Sequence, residues 1–313
     1  MNRILIIAAL FVVPLFVSAQ RQQQFRKQLP KGNYSGICSL GDGRYAMVDD
    51  KAQADGFRLV SITIDSIHQR ISEVCDLGYR SSGLPNRDME GICYRPSTQT
   101  LFICGEADNE VYEYTLDGQR TGHKLAIPAD IKKAKRNKGL EALTYDVHYN
   151  MFYAMTELPL PDEKDIRLMA FDDDLQLKYM YHYEPDAPIS RKFIYGVSAL
   201  CATNKGNLLV MERQIRVPLL KIGAQTVTRI YEVTLEDEGE MKEKGMPKLQ
   251  KLVKKKLVTE FRTRFSITSR KFANFEGFYQ VSPSLLLLIA DSQNQYKGLL
   301  RDWFRLEIIK PYH

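Results

Sequence analysis

The stretch Glu90-Gly91-Ile92-Cys93-Tyr94-Arg95-Pro96-Ser97-Thr98-Gln99-Thr100-Leu101-Phe102-Ile103-Cys104-Gly105-Glu106 holds two short apolar runs around a turn-rich centre, opened and closed by an acid. Such a layout reads as an antiparallel hairpin. It recurs four more times. Ser35-Gly36-Ile37-Cys38 closes at Asp49, Glu141-Ala142-Leu143-Thr144 at Glu157, Ser198-Ala199-Leu200-Cys201 at Glu212, and Glu276-Gly277-Phe278-Tyr279 at Asp291. Opening and closing residues stand 14–16 positions apart, and successive openings are 55, 51, 57 and 78 apart. Repeats of that length made of short strands mean a propeller or a related array.

Each copy carries further runs of strand character. Third runs lie at Phe57–Ile62, Val111–Leu116, Arg167–Phe171, Arg229–Thr234 and Phe304–Ile309, and fourth runs at Ile71–Leu77, His123–Ile127, Leu177–Tyr183 and Lys256–Phe261. The last copy has no fourth run, because the sequence stops at His313, and Gln24–Leu29 can supply it from the other end. The sequence therefore predicts an all-β, five-bladed β-propeller with four strands per blade, closed by the N-terminal strand so that little strand edge stays exposed. The wide gap before Glu276 leaves room for a degenerate sixth blade, although one long loop accounts for it better. In propellers the innermost strand starts at the top face and the second strand returns there. The opening residues Ser35, Glu90, Glu141, Ser198 and Glu276 are thus expected to ring the channel near its upper mouth, with the closing acids beside them. The Lys-rich stretch Glu236–Lys256 joins third and fourth strands, which hangs it from the bottom as a solvated charged loop.

Residues 1–19 stand apart. Arg3 precedes an apolar stretch from Ile4 to Val17, and Val17-Ser18-Ala19 offers small residues for cleavage before Gln20. This reads as a secretory signal peptide, too short for a membrane span, followed by a single domain over residues 20–313. The mature protein is expected to be secreted or periplasmic, soluble, monomeric and without a transmembrane segment. The formal charge of +6 is too modest for nucleic-acid binding, and no zinc-finger or recognition-helix pattern accompanies it. Of five cysteines, Cys38, Cys93 and Cys201 share one repeat position, which spreads them around an axis as small buried residues. A Cys93–Cys104 bridge across a hairpin is compatible with the pattern but not demanded by it.

Three carboxylates and two hydroxyls converging on one axis raise one another's pKa unless a cation neutralises them. An all-oxygen donor set without histidine suits Ca²⁺ better than zinc or copper. The expected metal ligands are therefore Ser35, Glu90, Glu141, Ser198 and Glu276. The competing reading has these residues hydrogen-bonded to one another and to ordered water.

The order Ser, Glu, Glu, Ser, Glu around five blades resembles the central ring of calcium-activated nucleotidases, the soluble apyrases, as does Tyr45-Ala46-Met47-Val48-Asp49-Asp50-Lys51. The third blade of that family carries arginines where this chain has Met155-Thr156-Glu157. The fuller resemblance is to the exported phytase-like, or esterase-like, bacterial propellers. It rests on Asp88-Met89-Glu90-Gly91-Ile92, Gly139-Leu140-Glu141-Ala142-Leu143-Thr144-Tyr145-Asp146 and Asn274-Phe275-Glu276-Gly277, and spans roughly residues 30–310. It implies a hydrolase acting on phosphate esters.

Basic residues precede or follow the ring positions on the upper loops. Arg87, Lys138, Arg191, Arg213 and Arg270 are the expected binders of a small anionic, phosphorylated substrate through charge-assisted contacts. Calcium polarises a phosphoryl oxygen, and Asp49, Asp50, Glu106 or Glu157 can take a proton from water. The five histidines, His68, His123, His148, His182 and His313, fall at unrelated repeat positions, against a catalytic cluster. No Gly-rich phosphate loop is present. Paired carboxylates on a five-bladed propeller would suit glycoside hydrolysis, but the symmetric recurrence of the acids and the single Trp303 speak against it. The leading expectation is an exported, calcium-dependent phosphoester hydrolase. Its rival is a non-catalytic propeller with structural calcium that binds a ligand or protein partner.

Overall fold

The computed structural model describes residues 22–25, 27–235, 249–267, 270–291 and 304–310. The candidate signal peptide 1–19, Trp303, His313, most of the Lys-rich loop and the side chain of Arg270 lie outside the described residues. Five sheets surround one axis, each antiparallel in its first four strands. Blade 1 comprises Tyr34–Gly41, Arg44–Asp49, Ala54–Asp65 and Arg70–Pro85, and blade 2 Met89–Arg95, Thr100–Gly105, Glu110–Tyr114 and Arg120–Lys124. Blade 3 comprises Leu140–Asp146, Met151–Thr156, Ile166–Phe171 and Leu177–Tyr183, and blade 4 Ile194–Ala202, Leu208–Arg216, Gln225–Thr234 and Lys254–Phe265. Blade 5 is Asn274–Ser282, Leu285–Asp291 and Phe304–Ile308, completed by Gln22–Gln23.

The second strands explain why the sheets stack around an axis. Leu101 and Ile103 enter the core shared with blade 1, whereas Phe102 and Cys104 enter the core shared with blade 3. Successive side chains leave a strand on opposite faces, so a strand covered on both sides reads as an unbroken apolar run. Leu285–Ala290 obeys the same rule between blades 1 and 4. Five apolar slabs, one at each blade junction, thus replace a single central core. Phe102 meets Phe152 across one slab with ring centroids 4.4 Å apart, and truncating such a residue to Ala costs roughly 3–5 kcal/mol.

Closure between the two ends is as expected, but the closing strand lies earlier than Gln24–Leu29. Gln22 and Gln23 pair with Arg305 and Phe304. The chain turns immediately afterwards, with Gln28 N–H and Leu29 N–H donating to the Phe25 carbonyl. Phe25 stacks edge-on against Phe304, and Leu29 fills the slab between blades 5 and 1. The 78-residue interval is filled by blade 4's long outer strands and the connection between them. Part of that connection, Leu249–Leu252, pairs in parallel with the outer edge of blade 3. All five cysteines are free thiols, and Cys93 stands opposite Phe102 rather than Cys104.

Candidate functional site

The register of the inner hairpin slips at one equivalent place in every blade. The slips fall between Tyr34 and Gly36, Met89 and Ile92, Leu140 and Ala142, Val197 and Ala199, and Phe275 and Gly277. The residues skipped are the opening residues, Ser35, Glu90, Glu141, Ser198 and Glu276, with Gly91 beside Glu90. A β-bulge releases a residue from the ladder and re-aims its side chain. Five bulges therefore build the ring. The small residue that follows each one lets the inner strands crowd the axis. A Cβ on Gly36 would lie 2.4 Å from the Glu90 carbonyl oxygen, and one on Gly277 would lie 2.7 Å from that of Ser35. The neck between the strands is a cavity of only about 10 Å³, room for about one water.

Above the neck a vestibule of about 340 Å³ is walled by two tiers. Glu90, Glu141 and Glu276 form the floor, and Asp50, Glu106, Glu157, Arg213 and Asp291 stand over them. The upper tier differs from the closing acids in two blades. In blades 1 and 4 the residue facing the vestibule is the next one along, Asp50 rather than Asp49 and Arg213 rather than Glu212. One step along a strand turns a side chain to the other face. Asp49 Oδ1 instead accepts from Asn33 N–H at 3.1 Å and Lys51 N–H at 3.0 Å. Glu212 accepts from the Tyr183 hydroxyl at 2.7 Å and Lys255 Nζ at 2.7 Å, in a clasp between blades 3 and 4.

Arg213 is the buried cation of the ring. Its Nη2 lies 2.9 Å from Glu276 Oε1, 3.5 Å from Glu157 Oε1 and 3.7 Å from Glu141 Oε1. Glu276 also accepts from Asn274 Nδ2 at 2.7 Å. Lys138 pairs with Glu157. On the opposite side Lys51 Nζ bridges Asp50 at 2.8 Å and Asp88 at 2.5 Å. Glu90 is treated differently: it is only 7% exposed, and among the described residues no donor or cation reaches its carboxylate. Burial, then the neighbouring Glu141 and Asp50, push its pKa well up. Burial and Glu157 likewise raise Glu141, against the pull of Arg213. Burial and Glu157 push Glu106 up to about 7, and burial pushes Asp50 up to about 6 despite Lys51.

Two groups of carboxylates present oxygens within 4.8 Å of one another, Asp50 with Asp88 and Glu90, and Glu106 with Glu141 and Glu157. Asp50 Oδ1 is buried without a hydrogen-bond partner. An unmet acceptor beside an uncompensated buried carboxylate is what a hard cation satisfies, so the donor set fits Ca²⁺. Ser35 and Ser198 line the neck, and their hydroxyls donate to the Asn33 and Met211 carbonyls at 3.3 and 3.4 Å.

The expected anion binders divide. Lys138 and Arg213 line the vestibule. Arg87 does not: it is buried beside blade 2, forked onto Asp108 at 2.8 Å and stacked 4.5 Å from the Tyr112 ring. Arg191 is exposed on the loop before blade 4 and away from the vestibule wall. Lys51 and Asp88 belong to the site and were missed as site residues, although both lie in stretches that the sequence resemblance marks. Below the neck the channel opens into a second chamber of about 400 Å³ lined without a charged residue.

The sequence profile of the phytase-like family, described as "esterase-like activity of phytase", matches residues 30–292. The chain belongs to that family. The match is to it and not to the calcium-activated nucleotidases whose ring the sequence resembles. No curated protein matches the chain significantly. Among solved structures the chain is similar to virginiamycin B lyase from Staphylococcus aureus, at 11% identity and a TM-score of 0.42, over 92% of this chain and 99% of that one. It is also similar to a DUF4221-family protein from Bacteroides vulgatus, at 8% identity and a TM-score of 0.39, over 93% and 96%. At such values these likenesses carry no argument about function. Among the described residues no helix is long and apolar enough to cross a membrane.

Proposed function

We propose that this phytase-like propeller is a calcium-dependent hydrolase of small phosphate esters, with its substrate in the upper vestibule. The observation that carries the reading is Glu90, a buried carboxylate without a counter-charge among the described residues, on a floor shared with Glu141 and Glu276. Glu90 and Glu141, each grouped with upper-tier acids rather than with Glu276, would hold the ion with Ser35 and Ser198, while Glu276 is already engaged by Arg213. When bound, calcium supplies positive charge that polarises a phosphoryl oxygen. Without it the vestibule has more carboxylates than cations and repels an anion.

Burial and Glu157 raise Glu106 to about 7 in the cation-free protein, and Gly139 N–H fixes its Oε1 at 3.0 Å, which makes it the best-placed general base of the upper tier. It takes the proton of the attacking water as the new P–O bond forms. The P–O bond to the alcohol breaks, and the departing oxygen is protonated from solvent. Lys51 and Lys138, at the rim, engage the remaining phosphate oxygens, while Asp50 and Glu157 orient these ammonium groups. Arg213 fixes the floor by holding Glu276.

Export of the chain with removal of residues 1–19 is part of this reading, and a mature N-terminus at Gln20 found by mass spectrometry would support it. The alternative is a non-catalytic propeller in which the same ion is structural and the top face binds a ligand or partner. Phosphate release from nucleotides, inositol phosphates and simple aryl phosphates, with calcium and then with chelator, decides between them. Release that stops with chelator and returns with calcium supports the enzyme. A calcium-raised melting temperature without release of phosphate supports structural calcium.

A further inference from the structure

Blade 4 is taller than its neighbours on the vestibule side. In the other blades the second strand stops at the vestibule, at Asp49, Gly105, Thr156 and Asp291, whereas in blade 4 it runs on to Arg216. At about 3.3 Å per residue, this lifts Arg216 roughly 10 Å above Arg213. Three segments meet at the raised end. Ile194 pairs with Ile215, and Arg264 with Lys271. Gly223 N–H donates to the Phe265 carbonyl at 3.0 Å, and Ile189 N–H to Gln214 Oε1 at 2.8 Å. A small core of Ile215, Ala224 and Phe272 holds the tip together.

The surface of this tip is unlike the rest of the molecule. Leu219 is 97% exposed, Leu220 83% and Ile267 87%, with Ile189, Ile194 and Ile222 also exposed. The described stretches 187–194, 215–225, 263–267 and 271–273 carry Arg191, Lys192, Arg216, Lys221, Arg264 and Lys271 and no aspartate or glutamate, while Arg262 is paired with Glu260 at 3.0 Å. In a chain with 38 acids among 313 residues, that is a one-signed surface. Nearby cations with nothing apolar between them would suit any polyanion. Leucines standing in water beside Lys221 suit a surface that takes up aliphatic side chains just below a layer of anionic groups. A bilayer with acidic headgroups does both.

We propose that the tip of blade 4 docks the top face of the propeller onto an anionic lipid surface. Leu219, Leu220 and Ile267 enter the acyl boundary, while Lys221, Arg191 and Arg264 remain at the headgroup phosphates. The proposal does not rest on the vestibule's being catalytic. If both hold, docking turns the vestibule toward phosphoesters at the membrane.

The test is flotation of the mature protein with vesicles of phosphatidylcholine alone and of phosphatidylcholine with phosphatidylglycerol. Binding is expected on the mixed vesicles only, and it should weaken with salt as charges are screened. Leu219→Asp and Leu220→Asp should each weaken it roughly tenfold or more, and Lys221→Ala roughly fivefold. Both leucines touch solvent, so the melting temperature should not change, and cleavage of a soluble ester should be unaffected. Absence of binding, equal binding to both vesicles, or binding that survives Leu219→Asp with Leu220→Asp would overturn the proposal. So would binding of the protein to soluble heparin that the leucine changes leave intact, combined with no flotation.

Discussion

The two ends of the channel share the same strands and the same five-fold plan, yet they offer opposite chemistry. The upper chamber, about 340 Å³, is walled by seven carboxylates with Lys51, Lys138 and Arg213 among them. The lower chamber, about 400 Å³, is lined by Cys38, Cys93, Cys201, Tyr94, Tyr279 and other uncharged residues. Only three residues along an inner strand separate Glu90 from Tyr94. The bulge makes the difference. It aims one charged or hydroxyl side chain up the axis at the top, while the inner-strand residues below it that line the channel are uncharged. A propeller of this kind stores its electrostatic strain at one mouth and leaves the other neutral.

The change that exposes this contrast most directly is removal of calcium. A ligand held at a hundred times its dissociation constant stabilises the fold by about 2.7 kcal/mol, roughly 5–10 °C in a domain of this size. Calcium should therefore raise the melting temperature by that order and chelator should reverse it, with the loss of any phosphate release. Calorimetric traces that superimpose with and without calcium would end the metal reading of the upper mouth.

Next come two substitutions of opposite sign. Arg213→Met in chelator leaves Glu276, Glu157 and Glu141 without their shared cation, a loss of about 3–5 kcal/mol for a broken buried pair. Calcium should restore part of it. Glu90→Gln in chelator should not destabilise, because without the ion burial favours the protonated, neutral acid that Gln replaces, but the response of the melting temperature to calcium should vanish. If Glu90→Gln keeps the full calcium response, the ion, if any, lies elsewhere.

These residues also mark what could be read in the chain. The lower tier was legible because five bulges place five residues of restricted type at one repeat position, and a local repeat is visible locally. The upper tier was legible from the closing acids in blades 2, 3 and 5, and in blades 1 and 4 through Asp50 and Arg213, which the sequence also names as site residues. In blades 1 and 4 the acid at the expected place, Asp49 or Glu212, faces away, and the strand's two-residue period gives the vestibule to Asp50 and Arg213. Arg87 resembled a substrate-binding cation for a similar reason. Its partners Asp108 and Tyr112 come from a turn and from the third strand of the blade, so no local pattern reveals them. Blade number and closure followed from the repeat, while the closing strand was misplaced because Phe25 and Leu29 are apolar through slab packing rather than strand pairing.

A smaller effect is expected from pH in cation-free protein. Glu106 moves from 4.5 to about 7 and Asp50 from 3.8 to about 6 on folding. A carboxyl with a raised folded pKa gives its full stability below the unfolded value and loses it as pH rises through the folded value. With chelator, stability should fall between about pH 4 and pH 7. With calcium the slope should flatten, since the ion favours the charged forms. A chelated protein as stable at pH 7.5 as at pH 5 would mean that Lys51, Lys138 and Arg213 already compensate the chamber.

The smallest effect should come from the neutral mouth. Burial pushes the Cys201 thiol up to about 12 and raises Cys38 and Cys93. A thiol reacts as thiolate, so none of the three should alkylate readily at pH 8 although all border the lower chamber. Cys75, half-buried on an outer strand, should be labelled first. Cys201→Ala should leave calcium binding and any turnover unchanged, because a carboxylate at the upper mouth feels a neutral thiol below the neck weakly. Rapid labelling of Cys201 in the native protein, read by mass spectrometry and slowed by calcium, would break the contrast. It would show that the inner strands open as a unit and that the two mouths are coupled through the neck.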